Sequence, residues 1–349
     1  MIKECIKSIT PLSIDKMKTA SYRWDHIAKP LHSLGKLETI HIQLCGIMDD
    51  DNPEIEKRAL VAMCADNGVV EERVTQVGQE VTAIVAENFL NYETTACIMC
   101  RKCGVDVYPV DIGMAADTKV RRDLKVMNGT CNMTRTQAMS REQAVKGIEG
   151  GIRMAKELKE KGYRLLITGE MGIGNTTTSS AVASVILNQP PEIMTGRGSG
   201  LTSEGLDRKI QAIKKAIALH NPDPKDPIDV LAKVGGLDIA GLIGVYLGGA
   251  ALKMPVLIDG FISCVAALLA KQLCPVSADY MIATHVSKEP AARQVLKALG
   301  KDPVIYGDMC LGEGSGAITL LPILDLAVEV YRSMSTFEDI KVEQYEELI

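Results

Sequence analysis

The sequence predicts an α/β fold: one doubly wound parallel sheet with a small helical subdomain built from the two chain ends. Three observations predict it. Short apolar runs alternate with longer amphipathic segments, each run ends at a polar or glycine-rich junction, and no repeat or low-complexity linker interrupts the series. The sheet-and-helix core is placed at residues 55–305, with 1–54 and 306–349 forming the subdomain.

The first 50 residues read as helices joined at Pro30-Leu31-His32-Ser33-Leu34-Gly35, because Leu34, Leu37, Ile40, His41 and Leu44 then recur at helical spacing. After the acidic loop Asp49–Asn52 come five candidate strands: 59–64, 105–110, 164–168, 255–258 and 280–283. Their junctions are Asp66-Asn67-Gly68, Asp111-Ile112-Gly113, Gly169-Glu170-Met171-Gly172, Asp259-Gly260 and Thr284-His285-Val286-Ser287. In a parallel α/β sheet such junctions gather at the carboxyl edge, where ligands bind. Any one aspartate there serves equally well as a cap for the next helix. The segment from Val81 through the cysteines at 97, 100 and 103 reads as helix, and Ile239–Leu252 as a buried core helix too short to span a bilayer. A long apolar helix is predicted over 315–334, followed by an acidic tail from Glu338 to Glu347.

Composition narrows the function. Aromatic residues are 4% of 349 residues and the net charge is −5, so neither stacking platforms nor a basic face for nucleic acid is expected. A small anion remains compatible, because backbone amides hold it without net positive charge. Met1-Ile2-Lys3-Glu4-Cys5 lacks the basic start and apolar run of an export signal, and the ten cysteines fit free thiols in a reducing, cytoplasmic setting. Cys97-x2-Cys100-x2-Cys103 has partial iron–sulfur spacing, but on a helix it reads as small packing residues. The five histidines show no i, i+4 pair, and no metal or other cofactor is expected.

The stretch from Ile167 to Ser180 runs from a strand through a glycine-rich turn into a helix opened by Thr and Ser. Gly169-x4-Gly174 has P-loop spacing, yet Asn175 stands where the lysine belongs, so triphosphate hydrolysis is poorly served. What remains is a helix N-terminus suited to a phosphate monoester or a ribose; a plain capped turn is the bland alternative. Glycine is dense again at Gly196-Arg197-Gly198-Ser199-Gly200, ahead of a basic helix with Arg208, Lys209, Lys214 and Lys215. A backbone open to an anion and a lysine one or two turns on make a second anion element, unless the lysines are simply solvated. The third element is Leu311-Gly312-Glu313-Gly314-Ser315-Gly316, a carboxylate among glycines whose charge the following helix start is expected to stabilise.

These pieces stand in a familiar order. Pro30-x2-Ser33-Leu34-Gly35-x-Leu37-Glu38, Cys64-Ala-Asp-Asn-Gly-Val69, Val81-Thr82-Ala83, Gly169–Thr177, Lys233-Val-Gly-Gly-Leu-Asp238, Pro255-Val-Leu-Ile-Asp-Gly-Phe261, Thr284-His285-x-Ser287 and Leu311–Gly316 succeed one another. The chain resembles the nicotinate-nucleotide:dimethylbenzimidazole phosphoribosyltransferases of cobalamin nucleotide-loop assembly, from about residue 10 to residue 335. The resemblance implies a Rossmann-like core, a homodimer (or a heterodimer with a related chain), and nicotinate mononucleotide and an aromatic base as substrates. By the same resemblance Glu313 is the general base, and Glu170, Met171 and Gly172 line ribose and base. Asn175, Thr176, Gly198, Ser199, Lys209 and Ser287 fall on the nucleotide and phosphate side. Val77 and Val85 stand where benzimidazole-using members carry a serine and a glutamine, which implies an apolar wall beside the accepting base. Ordinary core packing of the two valines, a phenolic acceptor and a non-catalytic partner subunit are the alternatives.

Overall fold

The computed structural model describes residues 1–345; the last two glutamates of the acidic tail, Glu346 and Glu347, lie outside the described residues. The five apolar runs form five strands: β1 (Arg58–Ala65), β2 (Val105–Gly113), β3 (Leu165–Met171), β4 (Val256–Ile258) and β5 (Met281–Ala283). All pair in parallel, in the order β2-β1-β3-β4-β5. β-strand side chains alternate between faces, and here both faces are apolar. Ala59, Val61, Met63, Leu166, Val256, Ile258 and Met281 enter one core, whereas Leu60, Ala62, Leu165, Ile167, Leu257 and Ile282 enter the other. That two-sided burial is why the runs read as continuous rather than alternating.

From β1 the chain first goes outward to β2 and then returns to β3 on the opposite side, so strand order reverses between β1 and β3. Such a switch leaves a crevice outside the strands' carboxyl ends. β1 and β3 reach that edge together, Met63 opposite Glu170 and Cys64 opposite Met171.

On the first face, helices Arg141–Glu160 and Leu237–Ala251 cross at very close range. A methyl on Gly151 would overlap the Gly241 carbonyl and lie 2.8 Å from the Gly244 Cα; one on Gly147 would lie 2.7 Å from the Ala240 Cβ. Only glycine at 151 permits this approach. Leu237–Ala251 is buried almost throughout, as expected of a core helix, and among the described residues no helix is long and apolar enough to cross a membrane.

On the second face lie helices Glu80–Leu90, Thr95–Lys102 and Ser315–Ser333. The single helix expected from Val81 through the cysteines is in fact two. Asn91–Thr94 breaks it: Tyr92 takes a φ of 58°, and the Thr94 hydroxyl caps the second helix by accepting from the Cys97 amide at 3.2 Å. Cys97 and Cys100 are buried in this core, with Cys103 packed against it. At the chain ends, Ala20, Trp24, Ile27, Cys45 and Tyr331 form a separate cluster, joined by an antiparallel bridge between Ile27 and Thr336. The last helix serves two regions: Ala317–Leu324 packs on the sheet and Tyr331 in the terminal cluster.

Candidate active site

At the carboxyl edge of β3, β4 and β5 the junctions surround a cavity of about 750 Å³. Its walls come from Glu170 and Met171 at the end of β3 and Gly172–Thr176 after it, Gly198–Gly200, Gly260–Ile262 after β4, His285, Ser287 and Glu289 after β5, Cys310–Glu313, and Thr75 and Val77. A second cavity of about 820 Å³ lies among Tyr22, Arg23, His26 and Arg332 at the chain ends. None of the strand junctions reaches it, so the chemistry is assigned to the sheet edge.

Glu170 sits at the floor. It is buried, and Asn175, in the position of a P-loop lysine, donates its side-chain amide to the Glu170 Oε2. Burial, and after it the charges of Asp238, Asp259 and Glu313, push the Glu170 carboxyl well above the usual range. Asp238 beneath it is fully buried, and burial pushes its carboxyl up to about 7. Glu313 is also raised, chiefly by burial. Its Oε2 accepts from the Ala96 amide at 3.4 Å, at the start of helix Thr95–Lys102. The expectation that the following helix start holds its charge is therefore corrected. The first amides of Ser315–Ser333 are taken by the Asp259 carboxylate instead.

The opposite end of the cavity offers donors. Gly174, at φ 95°, turns the chain into helix Asn175–Ile186 without a side-chain cap; the Asn175 amide donates to the Gly172 carbonyl at 3.0 Å and the Thr177 amide to the Gly174 carbonyl at 2.9 Å, which leaves the Thr176 amide as the first-turn donor for a ligand. Beside it, Gly198 is in the left-handed region at φ 54°, and a methyl there would sit 3.0 Å from the Thr176 Oγ1 and 3.4 Å from the Lys209 Nζ. Lys209 lies behind this glycine loop and is buried; its Nζ donates to the Thr176 Oγ1 at 2.8 Å and the Gly196 carbonyl at 3.1 Å. Desolvation lowers its pKa to about 8, with the negative charge of Glu289 acting in the opposite direction. The Thr284 hydroxyl donates to the Ile258 carbonyl at 2.6 Å, so it accepts from the His285 Nδ1 at 3.2 Å. That places the imidazole proton on Nδ1 and leaves Nε2 as an acceptor near Gly260 and Ser287.

Residues 9–342 match the family model described as phosphoribosyltransferase. Relatives named nicotinate-nucleotide–dimethylbenzimidazole phosphoribosyltransferase include one from Ruminiclostridium cellulolyticum, 47% identical over 99% of this chain and 99% of its own. Another, from Acetivibrio thermocellus, is also 47% identical at the same coverage of both. The crystal structure of CobT from Thermus thermophilus superposes with a TM-score of 0.90, at 36% identity, covering 95% of this chain and 100% of that one. The chain belongs to the nicotinate-nucleotide:dimethylbenzimidazole phosphoribosyltransferase family.

In this phosphoribosyltransferase the cavity collects Glu170, Met171, Gly172, Asn175, Thr176, Gly198, Ser199, Ser287, Glu313 and Val77 from the sequence-derived set. Two members stand elsewhere. Lys209 is behind the wall, under Gly198. Val85 is half-buried on helix Glu80–Leu90 and packs with the second core, as does Met171. Sequence reasoning passed over Glu289, whose carboxyl burial raises and which faces both Lys209 and the Gly198 amide. It lies two residues past Ser287 in a recognised junction, and that spacing was the available signal. It also passed over Asp259 as more than a helix cap.

Proposed function

We propose that this phosphoribosyltransferase moves the 5-phosphoribosyl group of nicotinate mononucleotide to an aromatic lower-ligand base such as dimethylbenzimidazole. The products are nicotinate and an α-linked nucleotide of the α-ribazole phosphate type, for cobamide nucleotide-loop assembly. One observation carries the reading: the glycine loops 172–174 and 198–200, Thr176 and Ser287 share one cavity with the Glu313 carboxylate. The names of the relatives supply the substrates.

The chemistry suits these parts. The leaving group is a pyridinium, already positive, so it departs with the bond electrons as neutral ring nitrogen and needs no acid. The base nitrogen attacks the anomeric carbon from the opposite face, becoming cationic and inverting the centre. Glu313 takes the azole proton, restoring a neutral ring. Gly198, Ser199, Thr176 and Ser287 hold the phosphate end, while Glu170 and Asn175 orient the ribose; holding two substrates together supplies much of the acceleration. Incubation with nicotinate mononucleotide and a panel of bases, with products identified by mass and by anomeric configuration, tests the reading. Failure to release nicotinate with any base would overturn it.

Lys209 acts through the glycine loop on the phosphate. Lys209→Ala should raise the Michaelis constant for nicotinate mononucleotide by roughly 10- to 150-fold, as the charge-assisted bonds to Thr176 and the Gly196 carbonyl that hold the loop, worth about 1.5–3 kcal/mol, are lost. Binding of the free nucleoside should fall much less. Equal losses for nucleotide and nucleoside would assign Lys209 to structure alone.

The acceptor side is open and apolar. Val77 is 42% exposed on the wall and Leu311 is 52% exposed, and neither side chain offers a hydrogen bond to a second ring nitrogen. Apolar walls discriminate weakly, whereas sites built around a hydrogen bond reject analogues that lack it. Broad use of benzimidazoles and purines is expected, and phenol or p-cresol is admitted when its proton is removed as it attacks. Competition between dimethylbenzimidazole and p-cresol measures this. A preference for dimethylbenzimidazole above about a hundredfold, some 2.7 kcal/mol, would close the wall.

A further inference from the structure

The loop that carries Glu313 is held from outside itself. Gly312, Glu313 and Gly314 have φ values of 88°, 63° and 91°, three successive residues in the left-handed region. Glycine adopts it freely; glutamate does so at a cost, and nothing in its own side chain selects it. The helix that follows begins at Gly314 with no side-chain cap of its own.

Asp259, at the end of β4, supplies what the loop lacks. It is buried, and both of its carboxylate oxygens are engaged by backbone amides of the loop and first turn. Oδ2 accepts from Gly314 at 3.0 Å, and Oδ1 accepts from Gly316 at 2.8 Å and Ala317 at 3.1 Å. The His285 ring closes on Gly316, and the Glu170 Oε1 lies where a side chain on Gly312 would begin. Asp259 itself is absent from the cavity wall, although its neighbours Gly260 and Phe261 line it.

We propose that Asp259 is a positioning residue for Glu313, fixing the loop conformation that presents the Glu313 carboxylate to the acceptor while never touching substrate. This rests on the base role of Glu313 given above. It also accounts for the placement of Glu313. With the first amides of Ser315–Ser333 committed to Asp259, the base has the long contact to the Ala96 amide and the Thr94 hydroxyl to give up when a substrate arrives.

A double-mutant cycle on the full chain tests the proposal, with kcat and nicotinate mononucleotide affinity by calorimetry measured for Asp259→Asn, Glu313→Gln and the pair. Asp259→Asn should lower kcat by about tenfold or more while the dissociation constant stays within about threefold, and in the Glu313→Gln background it should cost less than about twofold. Losses that multiply, an unchanged kcat in Asp259→Asn, or affinity falling in step with kcat would each overturn it. An unimpaired Glu313→Gln would remove the base reading and this proposal together, whereas multiplied losses with Glu313→Gln impaired would remove the proposal alone. Should Asp259→Asn not fold, Asp259→Ser keeps one acceptor there and is read in the same way. In the unaltered chain the Gly314, Gly316 and Ala317 amides should exchange slowly with solvent, and rapid exchange at these three positions would also overturn it.

Discussion

Glu313→Gln is expected to lower kcat by about 10²–10⁴ while leaving the fold and nicotinate mononucleotide binding intact, the usual range for losing a general base. The substitution is nearly isosteric, so the Gly312–Gly314 backbone, held by Asp259, has no reason to move. On the proposed mechanism, what disappears is the acceptor for the azole proton. Burial holds the Glu313 carboxyl above its ordinary range, which brings its basicity closer to neutrality. In that mechanism the Glu313 carboxyl has to be ionised to accept the proton. In the parent enzyme kcat should therefore fall as pH drops through that raised pKa, and Glu313→Gln should lose this acid limb. Steady-state rates across a pH series, with binding measured separately, check both points. A variant with more than half the parental rate near neutral pH would show that proton removal does not go through Glu313.

Gly151→Leu is expected to destabilise the fold by more than about 3 kcal/mol, beyond the usual range for overpacking. The obstacle is backbone: the Gly241 carbonyl and the Gly244 Cα occupy the space the new side chain needs. A flexible side chain would swing aside, but a helix axis has to be pushed out, opening the joint between Arg141–Glu160 and Leu237–Ala251. Lys156→Leu, on the exposed side of the same helix, should stay within about 0.5 kcal/mol and controls for helix propensity. Urea midpoints of the two variants and the parent decide it. Similar midpoints for Gly151→Leu and Lys156→Leu would mean that the crossing yields easily.

The strands were legible because the runs of β1, β3, β4 and β5 are apolar on both faces and β1 and β4 stop at Asp66 and Asp259; edge strand β2 is half open at Asp106–Tyr108 and runs on through Asp111 to Gly113. The site was legible for a related reason: in a parallel sheet, chain junctions converge whatever their separation in sequence. Other features carried little local signal. The break at Asn91–Thr94 has no glycine or proline to announce it and depends on the Thr94 cap. The depth of Lys209 follows from the glycine loop folding over its nitrogen, and a basic helix face in sequence looks the same whether buried or solvated. The fate of the last helix's first amides was read from adjacency to Glu313, when the stronger partner stood on another strand. Val85 shows the limit of inferring a wall from substitution pattern, since a valine one helical turn from Val81 serves packing as readily as a ligand.

The last helix has a consequence for how the enzyme comes into being. Tyr331 and Trp24 pack together although most of the chain separates them, and Arg23 donates to the carbonyls of Tyr331 and Arg332. The first turn of that same helix completes the Glu313 loop on Asp259. Closing so long a loop is entropically unfavourable and gains nothing until both ends are present. On a ribosome, Trp24 meets His41 and Lys29 of the early segment first and lacks Tyr331 until the segment through residue 333 has emerged. Cys45, in the same cluster, waits with it. The Glu313 loop accordingly cannot be completed before the helix Ser315–Ser333 has been made, long after the early helices that share its packing.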